Sequence, residues 1–250
     1  EIVKADKKPY TVYTPYSKLW LNEFQKVDLQ GFPSEKKLDN LLEIPFEELK
    51  IEDIGFQKTD LAFEVPEADL HIIKTYEETR NFPAVKGTTQ LGVHLRFGTI
   101  SVRKLAKIAK ENNLTFLKEL IWREFFMQIL YHFPKVVNHS FKSKYDAIPW
   151  ENNPEFLEKW KAGKTGFPIV DAGMRELNAT GFMHNRVRMI TASFLIKHLL
   201  TDWRIGEAYF AEKLMDYDLS ANNGNWQWCA SSGCDAAPYS GVIAYILTEQ

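Results

Sequence analysis

What narrows the fold of this chain most is an unbroken succession of helix-period segments from Leu70 onward, with no run of strand-like alternation among them. In SVRKLAKIAKEN, the spacing puts Val102, Leu105, Ile108 and Ala109 on one side, with Ser101 placed to cap the N-terminus. TFLKELIWREFFMQILYHFP brings Trp122, Phe125, Phe126, Ile129, Leu130 and Phe133 to helical spacing between a Thr115 cap and a Pro134 stop. NNPEFLEKWKAG opens on Asn153 and Pro154, residues suited to a cap and first turn, and Gly163 can end it. PIVDAGMRELNATG reads as a helix ending at Gly181. MHNRVRMITASFLIKHLL is amphipathic again, and GEAYFAEKLMD is a further short helix. The expected fold class is all-α, with irregular connections rich in Gly and Asn.

Ahead of Leu70 the pattern differs. KPYTVYTPYSKLWLNEF reads as a strand end, a Pro-containing turn and a helix start. Residues 25–69 carry Pro33, Pro45 and Pro66, many acids and weak periodicity, which is linker composition. There is no internal repeat and no low-complexity stretch.

Charge and cysteine content remove several function classes. The formal net charge is −2, so any nucleic-acid surface has to be local. Acids dominate from Glu35 to Asp69. Bases gather later, at Arg103, Lys104, Lys107 and Lys110, at Lys135, Lys142 and Lys144, and at Arg186 and Arg188. That uneven pattern fits an ordinary solvated surface as well as a DNA-facing one. Cys229 and Cys234 are the only cysteines and read as two buried thiols in a reduced, cytoplasmic setting. No apolar run spans a bilayer and no signal peptide is visible, so no membrane association is expected. Zinc-ligand spacing and a G-x-S-x-G nucleophile are both missing, which leaves hydrolysis without visible machinery.

Four constellations could carry chemistry, and each has an ordinary structural reading beside the functional one. In ELIWREFF, Glu119, Trp122 and Arg123 share a helix face; this is either an intrahelical ion pair beside a core indole or the floor of a ligand pocket. Asn185, Arg188 and Met189 put an amide and a guanidinium on an otherwise apolar stripe, which requires partners. Asp216 and Asp218 can supply them, either as a buried ion pair or as part of a ligand site. Asn222, Asn223, Gly224 and Asn225 favour a turn, followed at once by Trp226 and Trp228, which suit core packing as well as a site. RNFPAVKGTTQLG offers Gly and two Thr that could hold phosphate oxygens, without a P-loop or dinucleotide fingerprint.

Taken in order, RNFPAVKGTTQL, ELIWREFF, KTGFPIVDAGMRELNATGFMHNRVRMITASFLIK and DYDLSANNGNWQWCASSGCDAAPY closely resemble the helical FAD-binding domain of the photolyase/cryptochrome family, over about Tyr76 to Tyr239. Within that family MHNRVRM is similar to the class I cyclobutane-pyrimidine-dimer enzymes. The resemblance implies a chain divided into residues 1–24, a remnant of the end of an α/β antenna domain; residues 25–69, an interdomain linker; and residues 70–250, a helical FAD-binding domain. It implies reduced FAD as cofactor, with Tyr76, Thr88, Thr89 and Leu91 on the phosphate and ribose side, and Asn185, Arg188, Asp216, Asp218 and Asn222 around the flavin ring. The helices bearing Trp122, Arg188 and Asn222 should converge to enclose that ring. Antenna pigment is not expected, because its domain is missing.

By the same resemblance, Glu119, Trp122, Asn185, Arg186, Met189 and Trp228 form the pocket for an extruded pyrimidine dimer, with Glu119 giving a proton-bearing hydrogen bond. Trp226, Trp203 and Trp150 match a chain of indoles that carries electrons from the surface. The implied activity is light-driven repair of DNA containing pyrimidine dimers, by a monomer. Asn222 favours repair over the cryptochromes, many of which carry Asp or Cys at that place. Gln90, Phe116 and Phe182 depart from the family's frequent Arg, Trp and Trp. After DAAPY the string SGVIAYILTEQ replaces the family's continuation, which reads as truncation or a shifted frame. A cryptochrome-like photosensor and an inactive remnant are the competing expectations.

Overall fold

The computed structural model describes residues 2–29, 31–42, 49–59 and 67–235. The departure after Tyr239 lies outside them. Among the described residues the architecture is all-helical, and its only β feature is an isolated bridge between Val3 and Pro9. Ten α-helices are described: α1 (Tyr13–Phe24), α2 (Leu70–Thr79), α3 (Gly92–Phe97), α4 (Val102–Asn112), α5 (Leu114–His132), α6 (Pro154–Lys161), α7 (Pro168–Thr180), α8 (Asn185–Lys197), α9 (Trp203–Lys213) and α10 (Leu219–Cys229). Between α1 and α2 the described backbone forms only short 3₁₀ turns.

Local chemistry explains most boundaries. Ser101 caps α4 by accepting from the Lys104 amide, and Asn153 caps α6 from the Glu155 and Phe156 amides with Pro154 in the first turn. Helix α5 begins earlier than its sequence suggests. Asn113, in extended backbone, accepts from Phe116 N, so Thr115 lies inside the helix and is not its cap. Asn113 also donates to the Lys74 carbonyl, tying α2 to α5. Helix α9 likewise starts at an Asp202 cap, ahead of Gly206. On α4 the buried face is Leu105, Ala106 and Ala109, and Val102 is 41% exposed rather than buried with them.

The largest difference is α10. Asn222, Asn223, Gly224 and Asn225 lie within the helix and form no turn. Their neighbours decide this. Asn223 Nδ2 donates to the Val136 carbonyl at 3.0 Å, and Gln227 Nε2 donates to the same carbonyl at 2.9 Å and to Asn223 Oδ1 at 3.0 Å. Gly224 has to be glycine, since a Cβ there would fall 2.1 Å from Phe126 Cδ1 on α5. These contacts outweigh local turn preference.

Two apolar cores result. One joins α1, α2, α4 and α5 through Tyr16, Ile73, Leu105, Leu117, Ile121 and Phe125; the other joins α6 to α10 through Trp160, Met174, Leu195, Trp203, Phe210 and Trp226. Each fully buried large apolar side chain contributes about 1.5–3 kcal/mol. Helix α10 packs on α5, α8 and α9, and so stands between the two cores.

Candidate functional site

Two cavities meet at Asp216. The larger, of about 710 Å³, is lined by Thr88, Thr89, Leu91 and Asp216, together with His71 and His94. The smaller, of about 90 Å³, is lined by Asn185, Arg188, Met189, Asp216, Asp218, Asn222 and Trp226. Eight of the nine residues expected at a cofactor therefore stand on these walls. Tyr76 stands on neither. Its ring packs edge-on against Phe116, with centroids 5.1 Å apart and the Arg80 guanidinium 5.8 Å above. Burial, helped by the charge of Glu119, pushes its phenol up to about 12.

Arg188 and Asp216 form the partition between the cavities. The guanidinium meets the carboxylate through two parallel bonds, NH1 to Oδ1 at 3.1 Å and NH2 to Oδ2 at 2.9 Å, and Nε donates to the Met183 carbonyl at 2.7 Å. The ion-pair reading of the sequence is thus realised, by residues that also line the cavities. Asp218 caps α10, accepting from Ala221 N at 3.1 Å and from the Ser220 hydroxyl.

Asn222 is held by a residue that sequence reasoning missed. Its Nδ2 donates to the Glu207 carboxylate at 2.8 Å and to the Glu207 carbonyl at 3.1 Å. Both groups can only accept, so the amide nitrogen is committed to them and Oδ1 is the end left for the cavity. Burial raises the Glu207 carboxyl above the usual range, and the bond from Asn222 partly opposes that. Nothing in GEAYFAEKLMD distinguishes Glu207 from a solvated helix acid; only the crossing of α9 and α10 does.

A second group surrounds Glu119. Its partner is Arg80, not Arg123 on its own helix, and Arg123 instead donates to the Leu95 carbonyl at 3.3 Å. Burial raises the Glu119 carboxyl, while the charges of Arg80 and Arg186 pull it back. Arg186 grips Asn81 Oδ1 through Nε at 2.9 Å and NH2 at 2.7 Å, and its NH1 lies 3.3 Å from Met189 Sδ. Glu119, Arg186 and Met189 are therefore linked through Arg80 and Asn81, which open the string RNFPAVKGTTQL. Trp122 is not on either cavity wall. Its ring stacks on Tyr13 at 3.6 Å and 6°, with Phe125 and Phe126 beside it. Arg188 and Asn222 share a cavity; Trp122 belongs to the neighbouring core, because α1 reaches it first. Trp228 is half-buried in the other core.

The three indoles expected to carry electrons all belong to that second core. Trp226 and Trp203 are buried and Trp150 is half-buried. Trp226 packs edge-on against Phe210 at 5.0 Å. Helix α9 approaches it at Gly206, where a Cβ would fall 2.3 Å from the indole Cη2. Cys229 and Cys234 are free thiols, each pushed up to about 11 by burial. Among the described residues no group of three or more His, Cys, Asp or Glu could hold a metal, and no helix is long and apolar enough to cross a membrane.

Comparison with known proteins adds a family. The family described as the FAD binding domain of DNA photolyase matches residues 116–250. The deoxyribodipyrimidine photo-lyase of Escherichia coli is 39% identical over 257 residues, covering 95% of this chain and 54% of the relative. That of Halobacterium salinarum is 38% identical over 261 residues, covering 94% and 54%. In structure the chain is similar to a class III photolyase from Agrobacterium tumefaciens, at a TM-score of 0.77 and 33% identity over 94% of this chain and 53% of the other. It is also similar to a Synechocystis cryptochrome, at a TM-score of 0.72 and 29% identity over 92% and 53%. The chain spans about half the length of the relatives it matches.

Proposed function

The chain belongs to the FAD-binding domain family of DNA photolyases, and on that premise we propose that it takes part in light-driven repair of cyclobutane pyrimidine dimers in DNA. The observation that carries this reading is the pair of cavities meeting at Asp216, with its partner Arg188 and Asn222 both on the wall of the smaller one. The donor set suits FAD. Thr88 and Thr89 hydroxyls border the roomy side, where ribose and phosphate oxygens would be held. A guanidinium, a carboxylate and an amide border the narrow side, where the edge of a flat heterocycle would be held. The narrow side, at about 90 Å³, has to widen to admit such a ring, so binding should be accompanied by movement of its lining side chains.

Reduced FAD, when bound, would supply the electron that light moves to the dimer. The protein's part is orientation and hydrogen bonding. Glu207 holds Asn222 so that Oδ1 accepts from an N–H, which favours a ring carrying a proton at that edge. Without DNA, the Arg80 guanidinium pairs with Glu119 and favours its ionised form against the effect of burial. A lesion that displaces Arg80 toward a DNA phosphate would leave the buried carboxyl free to protonate and to donate to a pyrimidine carbonyl. Arg186, half-buried beside it, suits a second phosphate. On this reading Trp226, Trp203 and Trp150 deliver electrons from the surface, and the protein acts as a monomer.

The test begins with the visible spectrum of the purified chain, before and after adding FAD. A colourless protein that cannot be reconstituted overturns the cofactor assignment. With flavin bound and reduced, illumination in the presence of a thymine-dimer oligonucleotide should restore thymine absorbance. Flavin binding without that recovery would favour a photosensor, consistent with the similarity to the Synechocystis cryptochrome.

A further inference from the structure

Besides Phe125 and Phe126, the Trp122 indole is held by a residue outside the four constellations named above. The rings of Tyr13 and Trp122 stack at 3.6 Å, only 6° from parallel. The Tyr13 hydroxyl donates to the Lys118 carbonyl at 2.9 Å, one turn before Trp122 on α5. Its backbone N–H donates to the Asp235 carboxylate at 3.2 Å, so one tyrosine joins α1, α5 and the chain after α10. Gln128, also on α5, donates to the Tyr10 carbonyl at 2.8 Å and holds the start of α1 in place. Burial pushes the Tyr13 phenol well above its usual range, with the charge of Glu119 adding to the effect, so the hydroxyl stays a donor.

We propose that Tyr13 is a positioning residue for lesion recognition: its stack on Trp122 and its bond to Lys118 fix the plane in which the indole meets extruded pyrimidines. This rests on Trp122 as a wall of the lesion pocket. A plain core role would have Tyr13 fill space, as Tyr16 does on the same helix; Tyr16 is 1% exposed and packs against Phe125. The distinguishing features are the parallel stack and the hydroxyl bond to the turn that carries both Glu119 and Trp122. By the same argument α1 belongs to the recognition site and is more than an attachment to it.

The experiment measures binding of the FAD-reconstituted full chain to two labelled oligonucleotides, one with a single thymine dimer and one undamaged. Tyr13→Leu should lower the lesion-to-undamaged affinity ratio about threefold to tenfold, the scale of a lost aromatic pair. Tyr13→Phe, which keeps the stack and loses only the bond to Lys118, should lower the ratio measurably but less than Tyr13→Leu does. Tyr16→Leu should lower the unfolding temperature while leaving the ratio unchanged. If Tyr13→Leu does not fold, Tyr13→Met, which keeps bulk without the flat face, reads the same ratio. A ratio unchanged in the Tyr13 variant but lowered by Trp122→Ala overturns the proposal, as does an equal drop in Tyr16→Leu. A ratio that Trp122→Ala leaves unchanged overturns the pocket reading itself, and the positioning role with it.

Discussion

Helices α4 and α10 are alike in length and opposite in what holds them. Helix α4 is built from good helix formers behind a Ser101 cap, and its apolar stripe rests on α5. Helix α10 contains Ser220, three asparagines and Gly224, which together disfavour a helix by roughly 3 kcal/mol relative to alanine. It forms because three of these residues have partners elsewhere: Asn222 with Glu207, Asn223 with Val136, and Gly224 with the ring of Phe126. The helix that local rules predict carries none of the expected site residues. The one they would break carries Asp218, Asn222, Trp226 and Trp228. Residues kept for a cavity are poor local formers, and tertiary contacts have to make up the difference.

The sharpest way to break this comparison is Gly224→Ala. Intrinsic propensity alone favours the alanine by about 1 kcal/mol. The position of Phe126 demands the reverse, a net loss of about 2–3 kcal/mol by urea denaturation, because the added methyl has nowhere to go. A stabilised variant would mean that α10 behaves like α4. Next in size, Ser101→Ala should cost about 1 kcal/mol through the lost cap and leave flavin binding untouched. A change in flavin affinity there would show that the two helices are not independent.

The smallest effect is one of pH. Burial raises the folded Glu207 carboxyl above its unfolded value of 4.5. Below that value both states are protonated and no penalty exists. As pH climbs through 4.5 the unfolded chain ionises first, so stability falls until the folded carboxyl also ionises. Glu207→Gln, which keeps an oxygen facing Asn222, should remove that part of the decline when unfolding free energies are compared at acidic and neutral pH. An unchanged slope would mean that Glu207 is solvated and does not set the amide.

How far the sequence could be read follows the same division. Caps at Ser101 and Asn153 and the stop before Pro134 are local hydrogen-bond and steric facts, and the structure has them where the residues suggest. The Arg188–Asp216 partition was legible too, since a guanidinium on an apolar face requires a carboxylate. Glu207, Arg80, Asn81 and Tyr13 were not. Each looks like an ordinary surface or core residue until two distant segments are brought together. The stack on Trp122 was hidden for the same reason: its spacing on α5 gives its face, but only α1 determines what covers that face.

Gly206 has a consequence of another kind. Electron tunnelling weakens steeply as the gap between donor and neighbour widens, and on the light-driven reading Trp226 is the inner indole. Helix α9, which begins at Trp203, lies against that indole only because position 206 lacks a side chain. On that reading one omitted methyl group would let the helix that begins at Trp203 close on the inner indole, and a residue with no chemistry of its own would bear on the rate.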